Sequence, residues 1–190
     1  MGVLGIALLV LLGVIALYAV VTYNNLVTLK HNVAKAWANI EVLLKQRNDE
    51  LPKLVETCKQ YMQFEQETLQ RVMESRSQSQ MAQAAGNMAA LGQAEGALLA
   101  ELGRLFAVAE AYPDLKTNET FQHLQGRITQ LENSIADRRE LYNESVNINN
   151  VRIEQFPDAI IAGLFNFKPF QLLEFPDREK SDVDMKKLFA

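Results

Sequence analysis

The chain carries little from which a reactive centre is normally built. Its 190 residues include one cysteine, one tryptophan, two histidines and five prolines. A lone Cys58 excludes any disulfide within the chain. It falls on an apolar helical face, which favours a buried, inert thiol over a reactive one. His31 and His123 lie in different predicted helices, one near each end of the domain, and neither begins a metal-ligand motif such as HExxH. Gly86 and Gly92 are not followed by Lys-Ser or Lys-Thr, so no phosphate loop is present. No Ser-His-Asp set stands out from the background. The expectation is a protein with no catalytic residues, no metal and no cofactor. Basic and acidic residues number 19 and 23, giving a net charge of -4, and they are interspersed. Without a basic stripe, nucleic-acid binding is not expected. Alternating β-branched runs are also missing, and Gly and Pro are scarce, so the chain reads as all-α.

What the sequence does have is one long apolar run at its start. Residues 2–21 contain no charged or amide side chain. About 20 such residues span the ~30 Å hydrocarbon core as a helix. A cleaved signal peptide needs a basic n-region and a small-x-small site, and neither occurs here: the first basic side chain is Lys30. Ile6 stands where a myristoylation motif requires Ser or Thr. The run is therefore read as a retained anchor over residues 1–22. Lys30, Lys35, Lys45 and Arg47, opposed by Glu41, place the basic flank after the anchor. That bias favours a short N-terminus outside and a cytoplasmic domain, with a periplasmic domain as the alternative. Gly5, Gly13 and Ala16 offer a weak packing face between anchors, with no GxxxG.

The rest reads as helices of a bundle over residues 23–155. Leu26, Leu29, Val33, Trp37, Ile40 and Leu44 share one face of a first helix that continues the anchor without Pro or Gly. Trp37 at this spacing is read as a core plug rather than a recognition residue. Pro52 suits the first turn of a second helix over 52–81, with Leu51, Val55, Cys58, Met62, Leu69 and Val72 as its seam. Glu65 interrupts that seam as a snorkelling carboxylate at the rim. The Ser-, Gln-, Ala- and Met-rich stretch 75–91 reads as a flexible connector. A third helix covers 93–111, with Leu98, Leu102, Leu105 and Ala109 inward, and a loop follows to Thr117. Asn118 is a plausible cap for a fourth helix reaching Gln155. Its seam is Phe121, Leu124, Ile128, Leu131, Ile135, Tyr142 and Val146, with Arg138 among them. Four such helices suit an antiparallel up-and-down bundle better than a coiled coil between chains.

In that topology the fourth helix returns toward the membrane and delivers Phe156-Pro157 there. Residues 156–176 form a short Phe-rich segment, with Phe165, Phe167 and Phe170 among Ile160, Ile161 and Leu164. Such a segment requires cover. Its own bundle, the lipid interface and a neighbouring subunit are the three candidates. Residues 177–190 read as a flexible charged tail. Tyr23-Asn24 and Tyr142-Asn143 each open a Tyr-Asn-x-x-Val motif at the membrane-proximal end. They read as a polar latch between the first and fourth helices rather than a ligand site.

Two stretches carry a resemblance to a known family. YNNLV after Thr22, followed by NVAKAWANIEVLLKQRNDELPKLVETCKQY, resembles the signature of the LemA family. YNESVNINNVRIEQFP and LFNF are similar to its C-terminal signature. Matching positions include Tyr23, Asn24, Trp37, Arg47, Pro52, Tyr142, Asn143, Phe156, Pro157, Phe165 and Phe167. Gln46, Asn149 and Asn166 depart from the pattern, where a basic residue, a tyrosine and a glycine are common. The resemblance implies a single-pass protein of the bacterial inner membrane with a four-helix domain. It also leans toward membrane organisation, the task linked to a relative in magnetosome-forming bacteria.

Two function classes follow. The first is a self-assembling scaffold, a homo-oligomer that organises or shapes the bilayer. The second is an adaptor whose helix face docks another membrane protein, such as a protease or stress component.

Overall fold

The computed structural model describes residues 2–175, whose regular structure is all helix, with no strand among the described residues. Six helices occur in order: α1 (Val3–Lys59), α2 (Gln66–Ala84), α3 (Met88–Ala109), α4 (Pro113–Lys116), α5 (Glu119–Glu154) and α6 (Asp158–Leu164). The tail predicted over 177–190 lies outside the described residues. The chain divides into two compact units, one of Met1–Asn39 with Glu140–Gln171, the other of Ile40–Arg139 with Leu172–Ala190. The long helices α1 and α5 each contribute residues to both.

The second unit is a helical bundle around one core. Leu51, Leu54, Val55 and Cys58 of α1 meet Leu69 and Val72 of α2, Leu98, Leu102, Leu105 and Ala109 of α3, Leu115 of α4, and Phe121, Leu124 and Ile128 of α5. The apolar seams predicted for these helices are buried as expected. Removing this aliphatic surface from water is the main force holding the helices together.

The helix boundary expected at Pro52 is not there. Pro52 lies inside α1, which runs on to Lys59. A proline in a helix interior leaves the carbonyl four residues earlier without its donor. Here that carbonyl belongs to Asn48, and the Arg76 Nε–H donates to it at 2.9 Å. A tertiary hydrogen bond thus replaces the missing helical one. The break falls instead at residues 60–65, where Met62 is fully buried and Glu65 takes the N-cap position of α2. The Tyr112 hydroxyl donates to Glu65 at 3.4 Å and the Asn118 amide donates to the Tyr61 hydroxyl at 3.0 Å.

The connector expected over 75–91 is also mostly helix. Only residues 85–87 interrupt it, with Gly86 at φ +64 and Asn87 capping α3 by accepting from the Ala90 N–H at 3.0 Å. Its small side chains serve packing: Ser75 and Ser79 of α2 are buried, and the Ser79 hydroxyl reaches Glu95 of α3. Gly92 has a similar purpose, since a Cβ there would come within 1.9 Å of the Glu174 carbonyl oxygen. The expected loop 112–117 contains the single turn α4. Asn118 caps α5 as predicted, accepting from the Phe121 N–H at 2.9 Å. In the seam of α5, Arg138 is exposed, contrary to expectation. Arg139 takes the inward register and sets its guanidinium 3.9 Å from the centre of the Phe175 ring.

Candidate functional site

Within the first unit, α1 begins with the apolar run. An 18-residue window in this helix has mean hydropathy 2.9, and none of it is buried. One helix of the described residues is thus long and apolar enough to cross a bilayer. Val3, Leu4, Leu8, Leu12 and Leu17 all face outward.

Directly beside the end of that run sits α6. Its two sides differ in a regular way. Asp158 and Ala162 point inward, with Asp158 only 3% exposed. Ile160 and Leu164, two residues on from each, point outward at 61% and 75% exposure. Phe156, before the helix, is 84% exposed. Ile160 and Leu164, four residues apart, share one edge of α6. An apolar groove of about 380 Å³ runs between this element and Val14, Ile15, Tyr18 and Ala19 of α1.

The buried carboxylate fixes α6 in place. Asp158 accepts hydrogen bonds from the Tyr18 hydroxyl and, at 3.2 Å, from the Thr22 hydroxyl. Arg152 of α5 completes the node with an ion pair. A carboxylate with that many donors is well satisfied despite its burial. The bonds to Tyr18 and Thr22 hold the start of α6 level with the end of the apolar run.

The end of α6 is equally defined. The Phe167 N–H donates to the Ala162 carbonyl at 2.9 Å and the Asn166 N–H to Gly163 at 3.2 Å. With Asn166 at φ 56, this is a Schellman cap. Asparagine tolerates the left-handed conformation that glycine more often supplies. The cap turns the chain so that Phe165 and Phe167 meet Tyr23, with ring centroids 4.7 and 5.9 Å away. Leu26, Ile153 and Ala162 form the small core beneath, with Ile161 and Phe167 against it. Further on, the Asn150 side chain clasps the Phe170 backbone, donating to its carbonyl at 2.9 Å and accepting from its N–H at 3.0 Å. The Tyr142 hydroxyl donates to the Gln171 carbonyl at 2.9 Å. Burial pushes the Tyr142 phenol up, which keeps it a donor.

All ten predicted interaction residues therefore fall in this unit. Tyr23, Phe165 and Phe167 come together, and so do Trp37 and Tyr142, at 5.8 Å between ring centroids. Trp37 is half-buried at that contact rather than a full core plug. Phe170 is held by its backbone, Asn143 is half-buried, and Phe156 and Pro157 are exposed. Of the residues expected in a polar latch, Tyr142 uses its hydroxyl on the C-terminal segment. Asn24 is exposed, and Tyr23 uses its ring on phenylalanines. The polar tie from α1 to the C-terminal segment is made by Tyr18 and Thr22 with Asp158, which sequence reasoning missed. Two signals for it were present: a lone phenol inside the apolar run, and an acid between Phe156-Pro157 and a second apolar run.

The second unit holds a buried ion cluster. Arg47, 1% exposed, donates two bonds to Glu95 at 2.6 and 2.8 Å and one to Glu132 at 3.1 Å. The Ser79 hydroxyl also donates to Glu95. Burial would lower the Arg47 value, but the hydrogen bonds and charges of Glu95 and Glu132 overcome that and raise it. Burial pushes the Glu132 carboxyl up, the Glu95 charge adds to that, and Arg47 opposes it. Arg47 was counted in the basic flank of the anchor. Its charge is taken up by Glu95 and Glu132 inside the bundle, so it does not belong in that flank. Burial alone raises the Cys58 thiol to about 12, consistent with an inert packing role.

Comparison with known proteins places these features among relatives. Residues 36–186 match the model of the LemA family. Two magnetosome proteins of Paramagnetospirillum magneticum, MamQ 1 and MamQ 2, are each 26% identical over 183 residues, covering 83% of this chain and 67% of theirs. The magnetosome protein MamQ of Magnetospirillum gryphiswaldense is 26% identical over 191 residues, covering 86% and 70%.

Proposed function

This chain belongs to the LemA family and carries a helix long and apolar enough to cross a membrane, and from that premise we propose that it is a non-catalytic scaffold of the bacterial envelope that shapes or organises the bilayer by self-assembly. The observation that carries the reading is the outward apolar edge of α6, Ile160 and Leu164, with the exposed Phe156 just before it, held beside the membrane span by Asp158. A short element apolar on one edge and fixed next to a spanning helix enters the interface on one leaflet only. Such one-sided insertion widens that leaflet and biases its curvature. Copies packed side by side add their effects. The magnetosome relatives, named for a membrane compartment, support the same direction. In this reading the span sits in the inner membrane, the N-terminus is outside and the helical bundle faces the cytoplasm.

The test is reconstitution of the full chain into giant vesicles, with particle size followed after mild detergent extraction. Remodelled vesicles and large homo-oligomers are expected. The triple variant Phe156→Ser, Ile160→Ser, Leu164→Ser should retain its helicity and lose remodelling. A clean monomer that leaves vesicles unchanged contradicts the proposal. A single stoichiometric partner recovered by cross-linking in native membranes, with no self-links, would favour the adaptor.

A further inference from the structure

A second feature of the first unit lies on α1 just beyond the apolar run. A cavity of about 550 Å³ opens between α1 and the chain that follows α6. Lys30 and His31 of α1 and Lys168 of the C-terminal segment supply its basic groups, and no carboxylate lines it among the described residues. Both lysines are exposed, and neither has an acidic partner among the described residues. The buried amide of Asn149 forms part of the wall, and the rings of Tyr23 and Phe165 stand at its edge.

Location decides what such a cavity can take. Lys30 rises ~13 Å along the helix from Val21. A lysine stem reaches back several Å from there, toward a headgroup band ~5–8 Å deep. Tyr23 and Phe165 are amphipathic or apolar rings at the depth where aromatic residues anchor membrane proteins. Unpaired cations above aromatic rings match a molecule with one anionic end and one apolar end. A free inorganic anion would gain nothing from the rings.

We propose that this cavity binds the headgroup of an anionic phospholipid, with the phosphodiester between Lys30 and Lys168 and the glycerol portion against Tyr23 and Phe165. The site does not depend on self-assembly or on curvature, and a monomeric protein would hold the lipid equally well.

Native mass spectrometry of the full chain in detergent, with added phosphatidylglycerol or phosphatidylcholine, tests it. Retention of phosphatidylglycerol well above phosphatidylcholine is expected. Lys30→Gln with Lys168→Gln should weaken that retention, by roughly fivefold for each lysine. The charge-matched pair Lys59→Gln with Lys116→Gln, exposed residues of the second unit, should leave it unchanged. Inorganic phosphate at millimolar levels should not displace the lipid. Equal retention of the two lipids, equal loss in both double variants, or displacement by phosphate, which would mark a soluble-anion site, would each overturn the proposal. All four substituted side chains are exposed, so circular dichroism of each variant should match the parent.

Discussion

The two units solve opposite problems with the same helical material. In the unit of Ile40–Arg139 the apolar side chains face each other, and the fully buried charges of Arg47 and Glu95 are bound in one cluster with Glu132. In the unit of Met1–Asn39 with Glu140–Gln171 the longest apolar surfaces face outward, while a polar node at Asp158 holds the elements together. One turns its apolar side chains inward, the other outward. The contrast teaches that burial in a protein does not identify which residues matter most. In the first unit the proposed function rests on an exposed edge, and the buried polar group is what fastens that edge.

Substitutions can break this contrast, and the largest effect is expected at Arg47. Arg47→Ala leaves Glu95 and Glu132 buried without their partner, a loss of about 3–5 kcal/mol in denaturant unfolding of the second unit. Next comes a paired test with leucine. Leu98→Ala should cost about 2–5 kcal/mol because it opens a cavity in a closed core. Leu164→Ala, on the exposed edge of α6, should change unfolding by less than about 0.5 kcal/mol. If the two variants melted alike, the inside-out description of the first unit would fail.

Asp158→Ala should act locally. It removes the acceptor shared by Tyr18, Thr22 and Arg152, a loss of about 1.5–3 kcal/mol in holding α6. Amide exchange should speed up in residues 158–164 and stay unchanged in α2 and α3. The smallest effect is expected at Glu132 and depends on pH. Its folded carboxyl lies above the ordinary range, mainly through burial. The folded state therefore keeps a proton that the unfolded chain has released. The stability this contributes is complete below the ordinary carboxylate value and is lost as pH rises through the raised folded value. Glu132→Gln should flatten the dependence of thermal unfolding on pH over that window, with the parent losing stability relative to the variant as pH rises.

Much of this was legible in the sequence. The apolar run, the all-α class and the seams of Leu98, Leu102 and Leu105 or Phe121, Leu124 and Ile128 are periodic signals, and periodicity is local. So was the Asn118 cap. What failed depended on partners distant in sequence. Pro52 signals a helix start until Arg76 is known to reach the Asn48 carbonyl. Ser75 and Ser79 signal a flexible linker until both are found buried, with Glu95 of α3 on Ser79. Arg47 looked like a basic flank residue because Glu95 and Glu132 are far along the chain. At the site, the crowding of Phe165, Phe167 and Phe170 was visible. The hold of Asp158 on Tyr18 and Thr22 was not, since hydrogen-bond partners more than 130 positions apart leave no periodic trace.

The central claim is that the outer edge of α6 lies in lipid. Ile160→Cys, carrying an environment-sensitive fluorophore, tests it in vesicles containing brominated lipid. Cys58 is buried, with its thiol raised to about 12, so the introduced cysteine should label alone. Quenching at position 160 should approach that of the same label at Val14 in the span and exceed that at Arg104 in the second unit. Quenching at 160 no stronger than at 104 would contradict the account.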